Sequence, residues 1–471
     1  MITRRTFQTG LLGVAAVNAA YGAEAPSLQG RWSGVLDAGA QRLRLKLEID
    51  ADGAARISSL DQGNPQGTPG RSTLKAADQI EIEFPSIGTV YAGRLVGPDR
   101  MEGEWRQSVV KLPLAFERGD AALAPLAPPE PLTSKRLAEI RAEAGSPALA
   151  AACARKGGRT RIWVDGERAV GSRIAVQDTD QWHLGSITKS MTASLVARLV
   201  DAGVLRWDET VGDVLGAVAP DMLDAYKPAT FRHLLSHRAG LPKDLPNAEI
   251  DLFSRELADA REERRAFSRL ALAKPPVGPM TTTFEYSNNG YIVAGAMLEA
   301  RLGRSWEDLI RDHLFAPLGL ASAGFGAPGR GGVIEQPVGH SKRANSDARR
   351  AYPVGAGPND NPVVFGPSGR VHMSLQDLLV FLAMHRDRTD YLKPETWTVL
   401  HTPPFGGNYA MGWGIAGNGV LTHNGSNSFW YAEVRIDATS GVVAAAATND
   451  GYFPKCLPEV GRTLLEAIAA A

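Results

Sequence analysis

Residues 43–49 alternate apolar and polar positions without a break, as Leu43-Arg44-Leu45-Lys46-Leu47-Glu48-Ile49. A two-residue period predicts a half-buried strand, and Asp52-Gly53 then supplies a hairpin turn. Segments 80–84, 89–96, 100–107 and 111–118 are further short strand-like runs, separated by Gly, Pro and Asp. Gly93 and Gly103 fall mid-strand, where glycine marks a bulge or bend. Residues 26–118 are therefore expected to form a small antiparallel barrel or meander with Trp32 and Trp105 in its core. Pro125, Pro128, Pro129 and Pro131 crowd the stretch 119–132, which stops helix and sheet alike and predicts a linker.

From 133 to 471 the pattern changes. A helical piece at 134–143 leads into strand-like runs at 148–154 and 161–164 around a Gly157-Gly158 turn. Several helices follow. Strand-like runs return at 410–415, 430–436 and 441–448, and an apolar helix closes the chain near 457–470. Strands at both ends with helices between predict an α+β domain, an α/β sandwich whose antiparallel sheet joins the two chain ends.

The first 25 residues are a different matter. Thr3-Arg4-Arg5-Thr6-Phe7, a short apolar run over 10–20 and small residues up to Ala25 fit an export signal of the twin-arginine type. The mature chain is then expected in the periplasm or outside the cell. The apolar run is too short to span a bilayer.

Composition narrows the function. Lys plus Arg and Asp plus Glu each number 51, so the net charge is zero, which leaves no electrostatic footprint for nucleic acid. With 2 Cys in 471 residues, neither a disulfide scaffold nor a cysteine-based metal centre is available. Whether Cys153 and Cys456 pair is left open by the sequence. His233 and His237 have the spacing of a helical metal pair, but Leu234 and Leu235 stand where zinc hydrolases need Glu. Gly324-Phe-Gly326-Ala-Pro328-Gly329 matches a dinucleotide fingerprint with no helix to receive a pyrophosphate. No metal or cofactor is expected. The charged run 261–265 reads as a solvated helix face, and no Gly-x-Ser-x-Gly elbow is present.

Three short motifs remain. Ser186-Ile-Thr-Lys189 opens a helical pattern over 186–202 whose apolar positions cover much of its circumference. Ser186 falls at the helix N-terminus, where free N–H groups favour negative charge, and Lys189 lies one turn on, on the same face. Burial would lower the lysine pKa and let it act as a base. Ser72–Lys75 and Ser108–Lys111 repeat the spacing but open no helix, and read as surface residues. Tyr286-Ser287-Asn288 enters a second helical pattern at 291–302. Its hydroxyl near an ammonium could ionise and shuttle protons, and its amide could hold a substrate carbonyl and the lysine together. His423-Asn424-Gly425-Ser426 lies between strand-like runs. Gly425 would let a substrate backbone approach, and the Ser426 N–H could join that of Ser186 as an oxyanion hole.

Taken in this order, Ser186-x-x-Lys189, Tyr286-x-Asn288 and His423-x-Gly425 resemble the serine penicillin-recognising superfamily: class C β-lactamases, D-alanyl-D-alanine carboxypeptidases and related carboxylesterases. Segments 234–242, 315–320 and 368–377 resemble the same family, and the likeness covers 132–471. The resemblance implies an acyl-enzyme formed on Ser186, proton transfer shared by Lys189 and Tyr286 with the base left open, and substrate held by Asn288, His423, Asn424 and Gly425. The lactamases usually carry Lys-Thr-Gly where this chain has His423-Asn424-Gly425. A neutral histidine attracts a carboxylate less than a fixed ammonium does. The expectation is therefore a serine hydrolase of small-molecule or peptide substrates that leans toward esters or amides with a less acidic group. A penicillin-binding carboxypeptidase or weak β-lactamase is the alternative, and a catalytically silent envelope binding protein is the reading of another class.

Overall fold

The computed structural model describes residues 27–471 apart from 39–40, 62–65, 76–77, 108–109, 255–258, 344 and 356. The export signal and Ser108 lie outside the described residues.

Eight strands, Gly30–Ala38, Gln41–Ile49, Ala54–Ser59, Thr68–Leu74, Gln79–Phe84, Thr89–Gly97, Arg100–Gln107 and Val110–Arg118, run in chain order and close into a barrel. Closure joins the first strand to the last, with Trp32 opposite Arg118. A barrel of this size is filled by its own side chains: Leu45, Leu47, Ile49, Trp32 and Trp105 are all buried inside. The mid-strand glycines are not a bulge. Gly93 sits directly across from Gly103, and the register shift falls later, between Leu95 and Gly97. A Cβ on Gly103 would stand 2.4 Å from the Ala92 carbonyl oxygen, so these glycines let two strands curve tightly against each other.

The second unit is built on a six-stranded antiparallel sheet in the spatial order Arg161–Gly166, Ala148–Arg155, Val442–Thr448, Tyr431–Asp437, Val420–Ser426 and Gly414–Ala416. The strands from both chain ends meet at its centre. There the alanines of 150–152 pair with those of 445–447, and strand alternation sends them to two different cores. Ala150, Ala152, Ala445 and Ala447 face the helical side that holds Thr188–Asp201. Ala151, Cys153, Ala444 and Ala446 face the helix Phe453–Ala469, in an apolar cluster continuous with the barrel interior. The barrel is thus packed onto the outer side of the six-stranded sheet.

Several local expectations change. The C-terminal helix starts at Phe453, so Cys456 lies within it; both cysteines are buried and free. Of the strand expected over 410–415, only Gly414–Ala416 forms. Ser72 is buried, with its hydroxyl on the Gly53 carbonyl oxygen, rather than on the surface. Arg264 does not belong to a solvated face: it is fully buried on the helix Ala260–Leu272 and bonds Glu299 and Glu307, each at 2.6 Å. Among the described residues, no helix is long and apolar enough to cross a membrane.

Candidate active site

The chain turns into the helix Thr188–Asp201 through a 3₁₀ turn, Gly185–Ile187. Ser186 therefore stands in the turn, two residues before the helix proper. Gly185 holds φ +50°; a Cβ there would come within 2.2 Å of the Ser426 nitrogen. A Cβ on Gly425 would lie 2.1 Å from the Leu184 carbonyl oxygen and 2.4 Å from the Ser186 nitrogen. The two glycines allow the nucleophile turn and the strand Val420–Ser426 to touch backbone to backbone, which brings the amides of Ser186 and Ser426 side by side. The close approach expected for a substrate at Gly425 is taken by the nucleophile turn itself.

Lys189 is fully buried. Its Nζ reaches Ser186 Oγ at 2.9 Å, Asn288 Oδ1 at 2.7 Å and the Ser368 carbonyl oxygen at 2.7 Å. Burial lowers its pKa to about 7; Asp244 opposes the shift and Lys243 adds to it. Once neutral, the amine keeps two N–H donors for the two carbonyl-type oxygens and turns its lone pair to the Ser186 hydroxyl. Such an arrangement can pass a proton between the Ser186 hydroxyl and the amine.

Tyr286 is half-buried beside this pair. Burial pushes its phenol well above the ordinary value, and a hydrogen bond with Ser186 only partly offsets this. The Lys189 ammonium lies over the ring, 5.0 Å from its centroid. Burial thus favours the protonated phenol of Tyr286.

The Tyr-Ser-Asn loop is clamped from below. Ser287 caps the helix Asn288–Leu302 by accepting from the Gly290 N–H, and its hydroxyl donates to the Pro242 carbonyl at 2.6 Å. Asn288 gives its oxygen to Lys189 and one amide N–H to Asp244 at 2.7 Å, so most of its capacity is spent inside the protein. His237, buried and in the left-handed region at φ +61°, accepts the Ser287 N–H at 3.0 Å. Its ring lies 4.3 Å from that of Tyr286. Burial, then Lys189 and His423, keep it neutral.

His423 faces the site in the neutral form. Burial and the Lys189 charge push its pKa to about 3 against a bond to the Asn424 carbonyl. That bond runs from Nδ1 at 2.7 Å, and Nε2 meets the Tyr409 hydroxyl at 3.0 Å. Asn424 alternates to the other face of the strand, where it is exposed and opposite Glu433. The structure thus gathers Ser186, Lys189, Tyr286, Asn288, His423, Gly425 and Ser426, and turns the Asn424 side chain away.

Four contributors were not singled out in the sequence. Asp244 and Ser368 complete the shell of Lys189. Asp360 and His183 brace the oxyanion backbone from behind. His183 Nδ1 accepts the Gly185 N–H at 3.1 Å, and its Nε2 lies 3.1 Å from Asp360. Asp360 also accepts from Asn427 at 2.9 Å and from Arg370 at 3.1 Å. Burial alone would raise its pKa, but His183 and Arg370 outweigh burial and hold the carboxylate ionised. One buried carboxylate therefore ties the turn before Ser186 to the residue after Ser426.

Comparison with known proteins agrees with this architecture. The Beta-lactamase family model matches residues 134–468, and the chain belongs to that family. It is a hydrolase of the β-lactamase fold. Penicillin-binding protein 4 of Amycolatopsis lactamdurans is 29% identical over 330 residues, covering 64% of this chain and 80% of that protein. Among solved structures, EstCE1, a hydrolase with promiscuous acyltransferase activity, superposes with a TM-score of 0.58 at 18% identity, over 72% of this chain and 97% of that one. The D-amino acid amidase of Ochrobactrum anthropi SV3 gives 0.57 at 22% identity, over 71% and 97%. At such identities these likenesses establish the fold.

Proposed function

We propose that this chain is an exported serine hydrolase that cleaves esters or amides through an acyl-enzyme on Ser186, with a lean toward carboxylic esters. The observation that carries the reading is the fully buried Lys189 amine, 2.9 Å from Ser186 Oγ and with its pKa lowered to about 7. In this mechanism neutral Lys189 takes the Ser186 proton as Oγ attacks the carbonyl carbon. The oxyanion is received by the N–H groups of Ser186 and Ser426. Protonated Tyr286 relays the proton to the leaving oxygen or nitrogen as the bond to it breaks. Water then attacks the acyl-enzyme and releases the acid. A site outside the cytoplasm follows from the export signal expected over residues 1–25.

The lean toward esters rests on His423. As a neutral ring committed to Tyr409 and Asn424, it offers no fixed positive charge where lactamases carry Lys-Thr-Gly. The penicillin-binding relative keeps a second reading in play, a D-alanyl carboxypeptidase. A silent binding protein is disfavoured, because burying Lys189 is costly and it stands with Ser186 and Tyr286 as an intact set.

The test is turnover of 4-nitrophenyl butyrate, a D-alanyl-D-alanine peptide and a penicillin by wild type and Ser186→Ala. The expected result is ester turnover that falls at least about 10³-fold in the variant, with slower peptide and penicillin turnover. Peptide turnover exceeding that of the ester moves the assignment to the carboxypeptidase. No turnover of any of the three overturns the hydrolase reading.

A further inference from the structure

His233 and His237 have the spacing of a metal pair, yet the structure sends them to different tasks. His233 braces the start of its own helix, with Nδ1 2.9 Å from the Thr230 hydroxyl and Nε2 3.1 Å from that of Thr281. His237 faces the Tyr-Ser-Asn loop. Segments 237–243 and 277–288 are laced together there: the N–H groups of Val277, Thr281 and Asn288 donate to the carbonyls of Gly240, Arg238 and Lys243. His237 supplies the two bonds that flank Tyr286. Its carbonyl accepts the Glu285 N–H at 3.0 Å, and its Nδ1 accepts the Ser287 N–H at 3.0 Å. Its ring packs 4.3 Å from that of Tyr286. One residue thus holds the backbone on either side of Tyr286 and the ring between.

The fold keeps this arrangement at a cost. His237 sits at φ +61°, a left-handed conformation that few side chains adopt without strain. Its Nε2 is buried with no hydrogen-bond partner among the described residues. Around the ring stand Tyr286, Tyr409 and Tyr291, with centroids at 4.3, 4.7 and 5.3 Å. Strain and an orphaned polar atom both destabilise a fold, and a purely apolar ring would fill this space without the orphan. What such a ring lacks is an acceptor for the Ser287 N–H. Backbone strain of this kind gathers where a functional group must be held in one geometry.

We infer that His237 is the positioning residue of Tyr286, fixing its hydroxyl relative to Ser186 and Lys189 by clamping the two peptide units that flank it. It is buried and acts through Tyr286 rather than on substrate. The inference rests on the hydrolase reading above, in which Tyr286 carries the proton to the leaving group, and adds the residue that sets its aim.

The test compares two esters of one acid, 4-nitrophenyl butyrate and ethyl butyrate, in kcat/KM, which reports formation of the acyl-enzyme they share. Ethoxide needs a proton in order to leave, and 4-nitrophenoxide does not. His237→Phe keeps a ring and removes the acceptor. It should lower kcat/KM for the ethyl ester about 10²-fold and that for the 4-nitrophenyl ester much less. His237→Asn tolerates the left-handed backbone and offers an amide oxygen to the Ser287 N–H, so it should restore most of the ethyl ester rate. Tyr286→Phe should show the same selective loss, and adding His237→Phe to it should not deepen that loss. A misfolded fraction lowers both rates alike. Equal losses on the two esters, or a further selective loss in the double variant, therefore overturn the positioning role. Hydrogen exchange of the Ser287 amide needs no turnover: it should be slow in wild type and His237→Asn, and fast in His237→Phe. That pattern without wild-type hydrolysis of either ester sinks the hydrolase reading and leaves the clamp standing. Slow exchange in His237→Phe overturns the clamp.

Discussion

Lys189 Nζ lies 2.7 Å from the side-chain oxygen of Asn288, so the base on one helix is tethered to the first residue of another. The same amide hands its N–H to Asp244, whose charge draws the lysine pKa upward against the larger effect of burial. Only the neutral amine accepts the Ser186 proton. With the pKa at about 7, kcat/KM is expected to rise with pH through that value and level off above it. Asp244→Asn removes the opposing charge and should move this acid limb to lower pH. A stopped-flow pH profile of both proteins checks the direction; a limb that stays fixed or moves upward assigns the titration to another group.

Asp360 is expected to act through the oxyanion backbone rather than on substrate. It faces His183, which holds the Gly185 N–H, and accepts from Asn427 beyond Ser426. Asp360→Asn removes the charge that organises both halves. It should lower kcat by about 10²-fold, the size of one misplaced oxyanion donor, with KM little changed. Asp360→Ala should cost about 3–5 kcal/mol of stability in urea unfolding, since it leaves Arg370 buried without its partner. Wild-type kcat in the Asn variant would remove Asp360 from the account.

Gly425→Ala places a methyl group 2.1 Å from the Leu184 carbonyl oxygen. The strand and the nucleophile turn must then separate, and an error of about 1 Å at a reacting centre costs about 10²-fold. Overpacking of this kind costs about 1–3 kcal/mol in stability. Gly417→Ala, where nothing lies within 4 Å, is the control and should match wild type in ester turnover and thermal melting.

How much of this was legible in the sequence depends on how local each signal is. The alternation of 43–49 and the turn at Asp52-Gly53 are properties of neighbouring residues, and they gave the barrel without its closure. Ser186 and Lys189 share one helical turn, so their pairing could be read from spacing alone. Asp244, Ser368, Asp360 and His183 enter the site from four separate segments, and no periodicity joins them. The burial of Arg264 is hidden because the run 261–265 looks solvated from within; its partners Glu299 and Glu307 lie 35 and 43 residues on. The direction of the Asn424 side chain escapes the sequence for the opposite reason. Its motif is a string of neighbours, whereas a strand sends alternate residues to opposite faces.

The central claim is that Ser186 becomes acylated during turnover. The most direct measurement is intact-mass and peptide-mapping spectrometry of protein acid-quenched while it hydrolyses 4-nitrophenyl butyrate, beside Ser186→Ala. The account expects a butyryl group on the peptide that contains Ser186, absent from the variant. A butyryl group mapped to another residue, or steady ester hydrolysis by Ser186→Ala, would contradict it.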